Sequence, residues 1–211
     1  MRNSVHSSVE ELKERLEEKR SAISARLADF AAVRPEEYFY ELAYCLLTPQ
    51  SSALHASEAV EALKESDFLN SEVDASSVLR RSSSYIRFHN TKAKHLAKAR
   101  EQYNEILAVL ANGSTSEGLR EWLVENVKGL GWKEASHFLR NIGHRDLSIL
   151  DRHILRNLKK YGAIRAVPKT VTMKRYLSIE RKFRLFAAAA GTTTDELDLL
   201  FWSMETGFIL K

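Results

Sequence analysis

Apolar residues recur at helical spacing along most of this chain, and few helix-breaking residues interrupt them. Only eight glycines and three prolines occur in 211 residues. The clearest example is a set of six apolar residues that fall on one helix face: Val9, Leu12, Leu16, Ile23, Leu27 and Phe30. No segment shows the alternation typical of a β-strand, and no internal repeat of about 20 to 50 residues is present. The sequence therefore predicts an all-α fold.

Local signals predict where several of these helices begin and end. Ser7 followed by Glu10 predicts a capping box at the start of the first helix. A cap at Asn90 or Thr91 predicts one long helix that continues to a stop at Asn112–Gly113. Long helices with apolar faces would supply the core.

Positive charge is concentrated in one segment of the chain. The net charge is +4, yet residues 128–184 contain fifteen Lys/Arg and four Asp/Glu, a local balance of +11. The rest of the chain therefore carries −7. A basic surface of this size points to a polyanion, and nucleic acid is the first candidate. A solvated helix surface is the alternative.

The pattern of cysteine and histidine gives no sign of a metal or another cofactor. The single cysteine, Cys45, excludes an intramolecular disulfide and any cluster or zinc site built from several thiolates. It lies in the apolar run Leu42–Leu47, which favours a buried, inert thiol. No pair of histidines has a spacing typical of metal ligands, so we expect no metal and no cofactor. A cation held by backbone carbonyls when a polyanion binds is the alternative.

Hydropathy argues against membrane insertion and secretion. No apolar run approaches the roughly 20 residues that a membrane span needs. The segment Met1–Glu10 has no apolar core of the signal-peptide kind. We therefore expect a cytoplasmic protein, and in a prokaryotic cell one that binds DNA would associate with the nucleoid.

Two glycines one residue apart, Gly129 and Gly131, lie between two helical patterns. They predict a tight hairpin of helices. Without side chains at these positions, backbone N–H groups can approach a phosphate at the positive end of the following helix. Such a hairpin grips one DNA strand without reading its sequence. A plain turn between helices is the alternative.

Lys133 lies two residues after Gly131, at the expected start of the next helix. The helix dipole opposes a positive charge there and favours a neutral amine. A neutral amine is what nucleophilic attack and Schiff-base formation require. Lys133 is therefore the candidate nucleophile, and a solvent-facing lysine that touches phosphate is the alternative.

Asp151, eighteen residues after Lys133, follows two apolar residues and is expected to begin a helix. An N-cap aspartate stabilises a helix by about 1 kcal/mol, and that role alone explains its presence. A carboxylate held by backbone donors also stays ionised. It can then stabilise positive charge that develops on a sugar as a base departs. Asp151 is the second candidate catalytic residue.

The order of these motifs carries a family resemblance. The chain resembles the helix-hairpin-helix glycosylases, whose motif ends in a Gly/Pro-rich turn and a catalytic aspartate. The resemblance lies in the order helix, Gly-Leu-Gly-Trp-Lys hairpin, helix and Leu-Asp-Arg-His-Ile. Within that superfamily, nearly the whole chain is similar to the small archaeal-type 8-oxoguanine DNA glycosylase/AP lyases. Further marks are segments 46–53, 87–93 and 208–211. The chain lacks the four cluster cysteines of the endonuclease III branch and has no room for the β domain of the eukaryotic enzymes.

The resemblance implies a role for each of several residues. Lys133 would be the Schiff-base nucleophile and Asp151 the essential carboxylate. Gln50 would enter the gap left by the flipped nucleotide and meet the orphaned base. The other expected DNA contacts are Gly129, Gly131, Arg152 and His153.

Base recognition is expected from three further residues. By the resemblance, Phe88 and Trp202 would sandwich the extruded base, because flipped bases are held by stacking. The terminal Lys211 would contact the oxidised guanine. Core packing is the alternative for each aromatic residue, and a frayed end is the alternative for Lys211.

We expect two helical subdomains that flank a DNA-binding cleft. One would span 29–143 and end in the helix-hairpin-helix motif. The other would combine 1–28 with 144–211 and so contain both termini. Lys133 and Asp151 would then face each other across the cleft.

The implied function is a bifunctional glycosylase/AP lyase of base excision repair. Acting as a monomer on double-stranded DNA with oxidised guanine, it would excise 8-oxoguanine by base flipping, Schiff-base formation and β-elimination. A sister glycosylase for another oxidised base is one alternative. A non-catalytic hairpin DNA-binding module is the other, and it gives no reason for a Lys133–Asp151 pair at this spacing.

Overall fold

The chain folds into helices joined by short connections. The computed structural model describes the backbone of residues 2–209 and the side chains of residues 9–209. Within that range there is no strand, and the predicted all-α fold is confirmed. The helices are α1 (Arg2–Ala31), α2 (Tyr38–Leu47), α3 (Ala53–Glu65), α4 (Ala75–Leu79), α5 (His89–Glu101), α6 (Tyr103–Leu110), α7 (Ser116–Asn126), α8 (Trp132–Asn141), α9 (Arg152–Lys160), α10 (Met173–Ala189) and α11 (Thr194–Thr206).

The helices form two compact units. One, here the contiguous unit, is Val33–Phe138, and the other, here the split unit, combines Met1–Ala32 with Leu139–Lys211. The predicted subdomain 29–143 is longer at both ends. Residues 29–31 belong to α1, and the boundary after Phe138 falls inside α8, which continues to Asn141.

The contiguous unit is built around α2, which packs against α3 and α5. Eight of the ten residues of α2 are buried, because this helix is apolar on nearly every side. Phe39 of α2 stacks on Phe68 at a centroid distance of 6.0 Å and meets the edge of Tyr103 at 5.2 Å. Cys45 lies fully buried in the same helix.

The split unit is built around α11, which packs against α1, α9 and α10. Phe201 of α11 stacks on Tyr161 at 5.7 Å and on Phe183 at 6.2 Å. A capping box between Thr193 and Glu196 starts α11. The helices from both ends of the chain therefore share one core.

Two helix boundaries differ from the predicted ones. The first helix begins at Arg2, so Ser7 lies inside α1 and the predicted capping box is wrong. The predicted single helix from residue 90 is two helices, because Gln102 leaves helical geometry at ψ +10° and divides α5 from α6. No residue typical of a helix break marks that position.

Long apolar helices are missing from the described part of the chain. None of its helices has both the length and the hydropathy that crossing a bilayer requires.

Candidate active site

The glycine hairpin lies between α7 and α8, entirely within the contiguous unit. Gly129 has φ +100°, in the left-handed region that favours glycine. A Cβ atom at Gly129 would overlap the imidazole ring of His95, which packs directly against the turn. The backbone N–H of Leu130 donates to the carbonyl of Val127 at 3.2 Å. The hairpin therefore requires glycine at residue 129 for its backbone and for its space.

Lys133 is the second residue of α8, and its side chain is 29% exposed. Its ammonium lies 3.1 Å from Oε1 of Glu134, an ion pair that the sequence analysis did not predict. The other carboxylate oxygen of Glu134 lies against Gly131, where a Cβ would come within 2.9 Å of it. The amine is therefore accessible from solvent and has a carboxylate beside it.

The first turn of α8 is anchored by a buried arginine of α7. Arg120 is 1% exposed, and its guanidinium lies 4.8 Å from the centre of the Trp132 ring. It also donates to the hydroxyl of Ser136 at 3.2 Å. These contacts hold the helix start that carries Lys133.

Lys92 of α5 is buried behind the turn that links α2 to α3. Its ammonium donates to the carbonyl oxygens of Leu47 and Pro49 and to the hydroxyl of Ser51. Burial, together with the nearby charge of Lys133, lowers the pKa of Lys92 from 10.5 to about 8. The proposed nucleophile therefore has a second lysine in its electrostatic environment.

Two predicted DNA-contacting residues have left-handed backbone geometry. Gln50 has φ +56° and Phe88 has φ +60°, although neither is glycine. Both are exposed, and the guanidinium of Arg87 lies 4.8 Å from the Phe88 ring centre. Non-glycine residues seldom adopt this geometry, and those that do cluster at functional sites.

Asp151 is the N-cap of α9, as predicted. Its carboxylate accepts a hydrogen bond of 2.8 Å from the backbone N–H of Ile154. Two side chains of α10 hold the extended segment before it. Glu180 accepts from the N–H of Ser148 at 2.9 Å, and the Tyr176 hydroxyl contacts the same segment. The carboxylate is thus fixed from its own helix and from a neighbouring one.

A buried carboxylate of α11 lies in the electrostatic environment of Asp151. Asp198 accepts a hydrogen bond of 2.8 Å from Arg140, and both side chains are buried. Burial raises the pKa of Asp198 to about 7, the Asp151 charge adds to the rise, and the Arg140 charge opposes it. The split unit therefore has a second carboxylate, buried in its core, that responds to the charge of the proposed catalytic one.

The first turn of α9 also contacts Trp202 of α11. The His153 imidazole meets the Trp202 ring edge to face, with centroids 5.4 Å apart. Nδ1 of His153 lies 3.4 Å from the Glu205 carboxylate. The indole Nε1 of Trp202 is buried and has no hydrogen-bond partner among the described residues. Trp202 is thus oriented by a residue of the Asp151 motif.

Comparison with known proteins identifies the family. The family model described as 8-oxoguanine DNA glycosylase, helix-hairpin-helix type, matches residues 23–192. The chain belongs to this 8-oxoguanine DNA glycosylase family. A relative from Fusobacterium nucleatum named 8-oxoguanine DNA glycosylase/AP lyase is 43% identical over 178 residues, which cover 81% of each protein.

Solved structures agree with this family assignment. The crystal structure of the 8-oxoguanine DNA glycosylase of Methanocaldococcus jannaschii has a TM-score of 0.84 and 33% identity, and the match covers 98% of this chain and 99% of that one. A second structure of the enzyme from that organism holds a 15mer DNA containing 8-oxoguanine. It has a TM-score of 0.84 and 32% identity, and the match covers 95% and 99% of the two chains.

The predicted site residues of this family member fall in both units. The contiguous unit contains Gln50, Phe88, Gly129, Gly131 and Lys133. The split unit contains Asp151, Arg152, His153 and Trp202. Arg152 is exposed at the first position of α9. Lys211 lies outside the described residues.

Sequence reasoning missed Lys92, His95 and Glu134. Lys92 had a usable signal, because Lys92, Leu96 and Ala99 share the i, i+4, i+7 spacing of a buried helix face. The contact of His95 with Gly129 joins residues 34 positions apart, and no local pattern predicts it. Among the described side chains, those of residues 9–209, no group of three or more His, Cys, Asp or Glu could hold a metal ion.

Proposed function

We propose that this chain is a bifunctional DNA glycosylase/AP lyase that excises 8-oxoguanine from double-stranded DNA. The observation that carries the proposal is the placement of Lys133. In a member of this family, a partly exposed lysine follows the glycine hairpin directly and lies in the first turn of α8. A lysine amine in that position suits covalent chemistry on a strand that the hairpin holds.

In the proposed reaction, the Lys133 amine attacks C1′ of the damaged nucleotide. The N-glycosyl bond breaks, and its electron pair leaves with 8-oxoguanine, which takes up a proton. The C1′–O4′ bond of the sugar then breaks, O4′ takes up one proton from the amine nitrogen, and a protonated imine forms at C1′. Removal of a C2′ proton then expels the 3′ phosphate by β-elimination, and hydrolysis of the imine releases Lys133. No step needs an oxidant or a reductant.

We assign electrostatic stabilisation of this reaction to Asp151. As the base departs, positive charge develops on the sugar, and a fixed carboxylate lowers the energy of that state. The hydrogen bond from Ile154 and the contacts of the preceding segment with α10 support this role, because they keep the carboxylate in place before DNA binds.

We assign DNA binding and base recognition to the remaining predicted residues. Gly129, Gly131, Arg152 and His153 would contact the phosphate backbone, and Gln50 would fill the gap in the duplex. Phe88 and Trp202 would stack on the extruded base. Two features support stacking: Phe88 is 49% exposed, and Trp202 is oriented by His153.

Lys211 remains the predicted contact of the oxidised base. Lys211→Ala should slow excision of 8-oxoguanine much more than cleavage of a preformed abasic site, which holds no base. Comparable slowing on both substrates would assign Lys211 a structural role, and no slowing on either would place base recognition elsewhere.

The experiment that tests the activity is a panel of duplexes, each with one lesion, incubated with the wild-type protein. Strand nicking should be fastest with 8-oxoguanine, and borohydride should trap protein on that duplex. Faster nicking of an oxidised pyrimidine would identify a sister glycosylase. Duplex binding without nicking or trapping of any lesion would identify a non-catalytic module.

We also propose that the protein acts as a monomer on the nucleoid in the prokaryotic cytoplasm. Relatives in bacteria and archaea and a DNA substrate support this location. Sedimentation at micromolar concentration should give the mass of one 24.1 kDa chain. A stable dimer would contradict the monomer.

A further inference from the structure

Lys92 is a buried lysine that the proposed chemistry does not use. It is 5% exposed, and its ammonium donates to Leu47 O at 2.6 Å, Pro49 O at 2.7 Å and Ser51 Oγ at 3.0 Å. Burying an ammonium group is costly unless its donors are satisfied. Here each of its three N–H groups has an acceptor, one at the last residue of α2 and two in the turn between α2 and α3.

Ser51 connects that turn to a second one. Its hydroxyl oxygen also accepts a hydrogen bond of 3.1 Å from the backbone N–H of Arg87. Arg87 precedes Phe88, whose carbonyl accepts from the backbone N–H of Lys92 at 3.0 Å. Lys92 and Ser51, here called the Lys92–Ser51 node, therefore tie both turns to the start of α5.

Each of these turns carries one exposed non-glycine residue with a left-handed backbone. Gln50 lies between Pro49 and Ser51, which both accept from Lys92, and Phe88 follows Arg87, which donates to Ser51. A residue in this conformation persists only when its surroundings hold it there. The node supplies hydrogen bonds on both sides of Gln50 and immediately before Phe88.

We propose that Lys92 and Ser51 are positioning residues that hold Gln50 and Phe88 ready to enter the duplex and stack on the extruded base. This inference rests on the proposed function. Ordering the two turns before DNA binds removes an entropic cost from base extrusion. Excision of an intact damaged base should depend on the node, whereas cleavage at a preformed abasic site should depend on it much less.

The decisive variant is Ser51→Ala, which removes the hydroxyl shared by both turns and leaves the buried lysine in place. Under single-turnover conditions, excision of 8-oxoguanine should fall about tenfold or more, the size expected for a lost hydrogen bond to a charged group. Cleavage of a preformed abasic site should stay within about threefold of wild type. Ser51→Thr should restore excision because its hydroxyl can make the same contacts.

Ser52→Ala is the matched control. Ser52 is the next residue, is exposed and makes no cap hydrogen bond. Both rates should stay within about twofold of wild type. Lys92→Met should resemble Ser51→Ala with a larger loss. Should Lys92→Met fail to fold, the three serine variants still test the proposal.

A second measurement does not depend on activity. Hydrogen exchange of the free protein should show faster exchange at residues 48–51 and 86–89 in Ser51→Ala, with hairpin residues 127–133 unchanged. Unchanged exchange in both turns would overturn the proposal. Near-normal excision by Ser51→Ala, or equal losses on the two substrates, would overturn it as well.

The proposed function can fail separately. A wild-type protein that excises no 8-oxoguanine would refute the assigned activity. The exchange measurement would still show whether the Lys92–Ser51 node holds the two turns.

Discussion

Lys133 and Asp151 are held by two different kinds of local structure. Lys133 follows a hairpin in which Gly129 has φ +100° and packs against His95. Asp151 caps a regular helix, and its carboxylate accepts directly from the N–H of Ile154. The first arrangement depends on the absence of a side chain, and the second depends on the presence of one.

This difference determines which functions can be separated by mutation. In the split unit, the carboxylate that caps α9 is the same group to which we assign catalysis. In the contiguous unit, the residues that shape the hairpin and the lysine to which we assign catalysis are distinct. In the contiguous unit, mutating different residues therefore separates the structural role from the chemical one. In the split unit both roles belong to Asp151, and only a change in the chemistry of that side chain can separate them.

The largest expected effect is that of Lys133→Gln. Without an amine no imine can form, so borohydride trapping should disappear and excision should fall by at least about 10³-fold. The free energy of unfolding should change by about 1 kcal/mol or less, because Lys133 is partly exposed and the Gln amide can still donate to Glu134. Lys64→Gln, which removes another ion-paired lysine of the same unit, should trap normally. Trapping by Lys133→Gln would contradict the assignment.

Asp151→Asn tests the other half of the comparison. Asn is as good an N-cap as Asp, so stability should stay within about 0.5 kcal/mol of wild type while excision falls by about 10²- to 10⁴-fold. Asp151→Ala should show the same catalytic loss and a further loss of about 1 kcal/mol in the free energy of unfolding. Denaturant titration and single-turnover kinetics measure the two effects. If Asp151→Asn excised the base at a near-normal rate, the carboxylate would be a helix cap alone.

Gly129→Ala should weaken binding to undamaged duplex by about tenfold, because the added methyl collides with His95 and displaces the hairpin amides. The dependence of affinity on salt should keep its slope, since no charge is removed. Gly113→Ala is the control, because Gly113 has φ +79° and open space around it. It should cost stability without changing affinity. Equal affinity losses for the two variants would show that only backbone strain matters.

The smallest effect concerns pH, where the two units should respond in opposite directions. The pKa of Asp198 is raised from 3.8 to about 7, so its stabilising contribution is complete below pH 4 and is lost as pH rises through 7. The pKa of Lys92 is lowered from 10.5 to about 8, so its contribution is complete above pH 10.5 and is lost as pH falls through 8.

Two variants measure these contributions. Relative to Asp198→Asn, wild type should lose on the order of 1 kcal/mol of unfolding free energy between pH 5 and 8. Relative to Lys92→Met, it should gain a similar amount between pH 8 and 10. Urea denaturation across this pH range measures the unfolding free energy of wild type and of each variant. If wild type and a variant changed with pH at the same rate, the burial of the charge removed in that variant would be contradicted.

The sequence predicts the architecture well where one local pattern decides it. Helical periodicity and few breakers indicate an all-α chain, and Asp151 after two apolar residues indicates the cap of α9. The division of α5 from α6 at Gln102 has no such signal, because neither a glycine nor a proline lies at that position. The start of α1 escaped prediction because a serine in a helix interior resembles a serine at a cap.

The environment of Lys133 was predicted less completely than its position. The helix start and the hairpin were visible in the glycine spacing, whereas Lys92 and His95 reach this region from α5. The left-handed geometry of Gln50 and Phe88 was not predictable either, because neither residue type favours it. Contacts between distant segments decide these features, and a single sequence does not show them.

The division of the core between the two ends of the chain has a consequence for biosynthesis. Helix α1 is made well before α11, the helix on which it packs, and the whole contiguous unit is made between them. The 175 residues from the end of α1 at Ala31 to the end of α11 at Thr206 take about 9 to 35 seconds to synthesise at about 5 to 20 residues per second. During this time α1 is favoured as a helix by its own ion pairs at i+3 and i+4 spacing, such as Glu11 with Arg15 and Glu17 with Arg20. Newly made chains should therefore display the apolar face of α1 to solvent until α11 has been made.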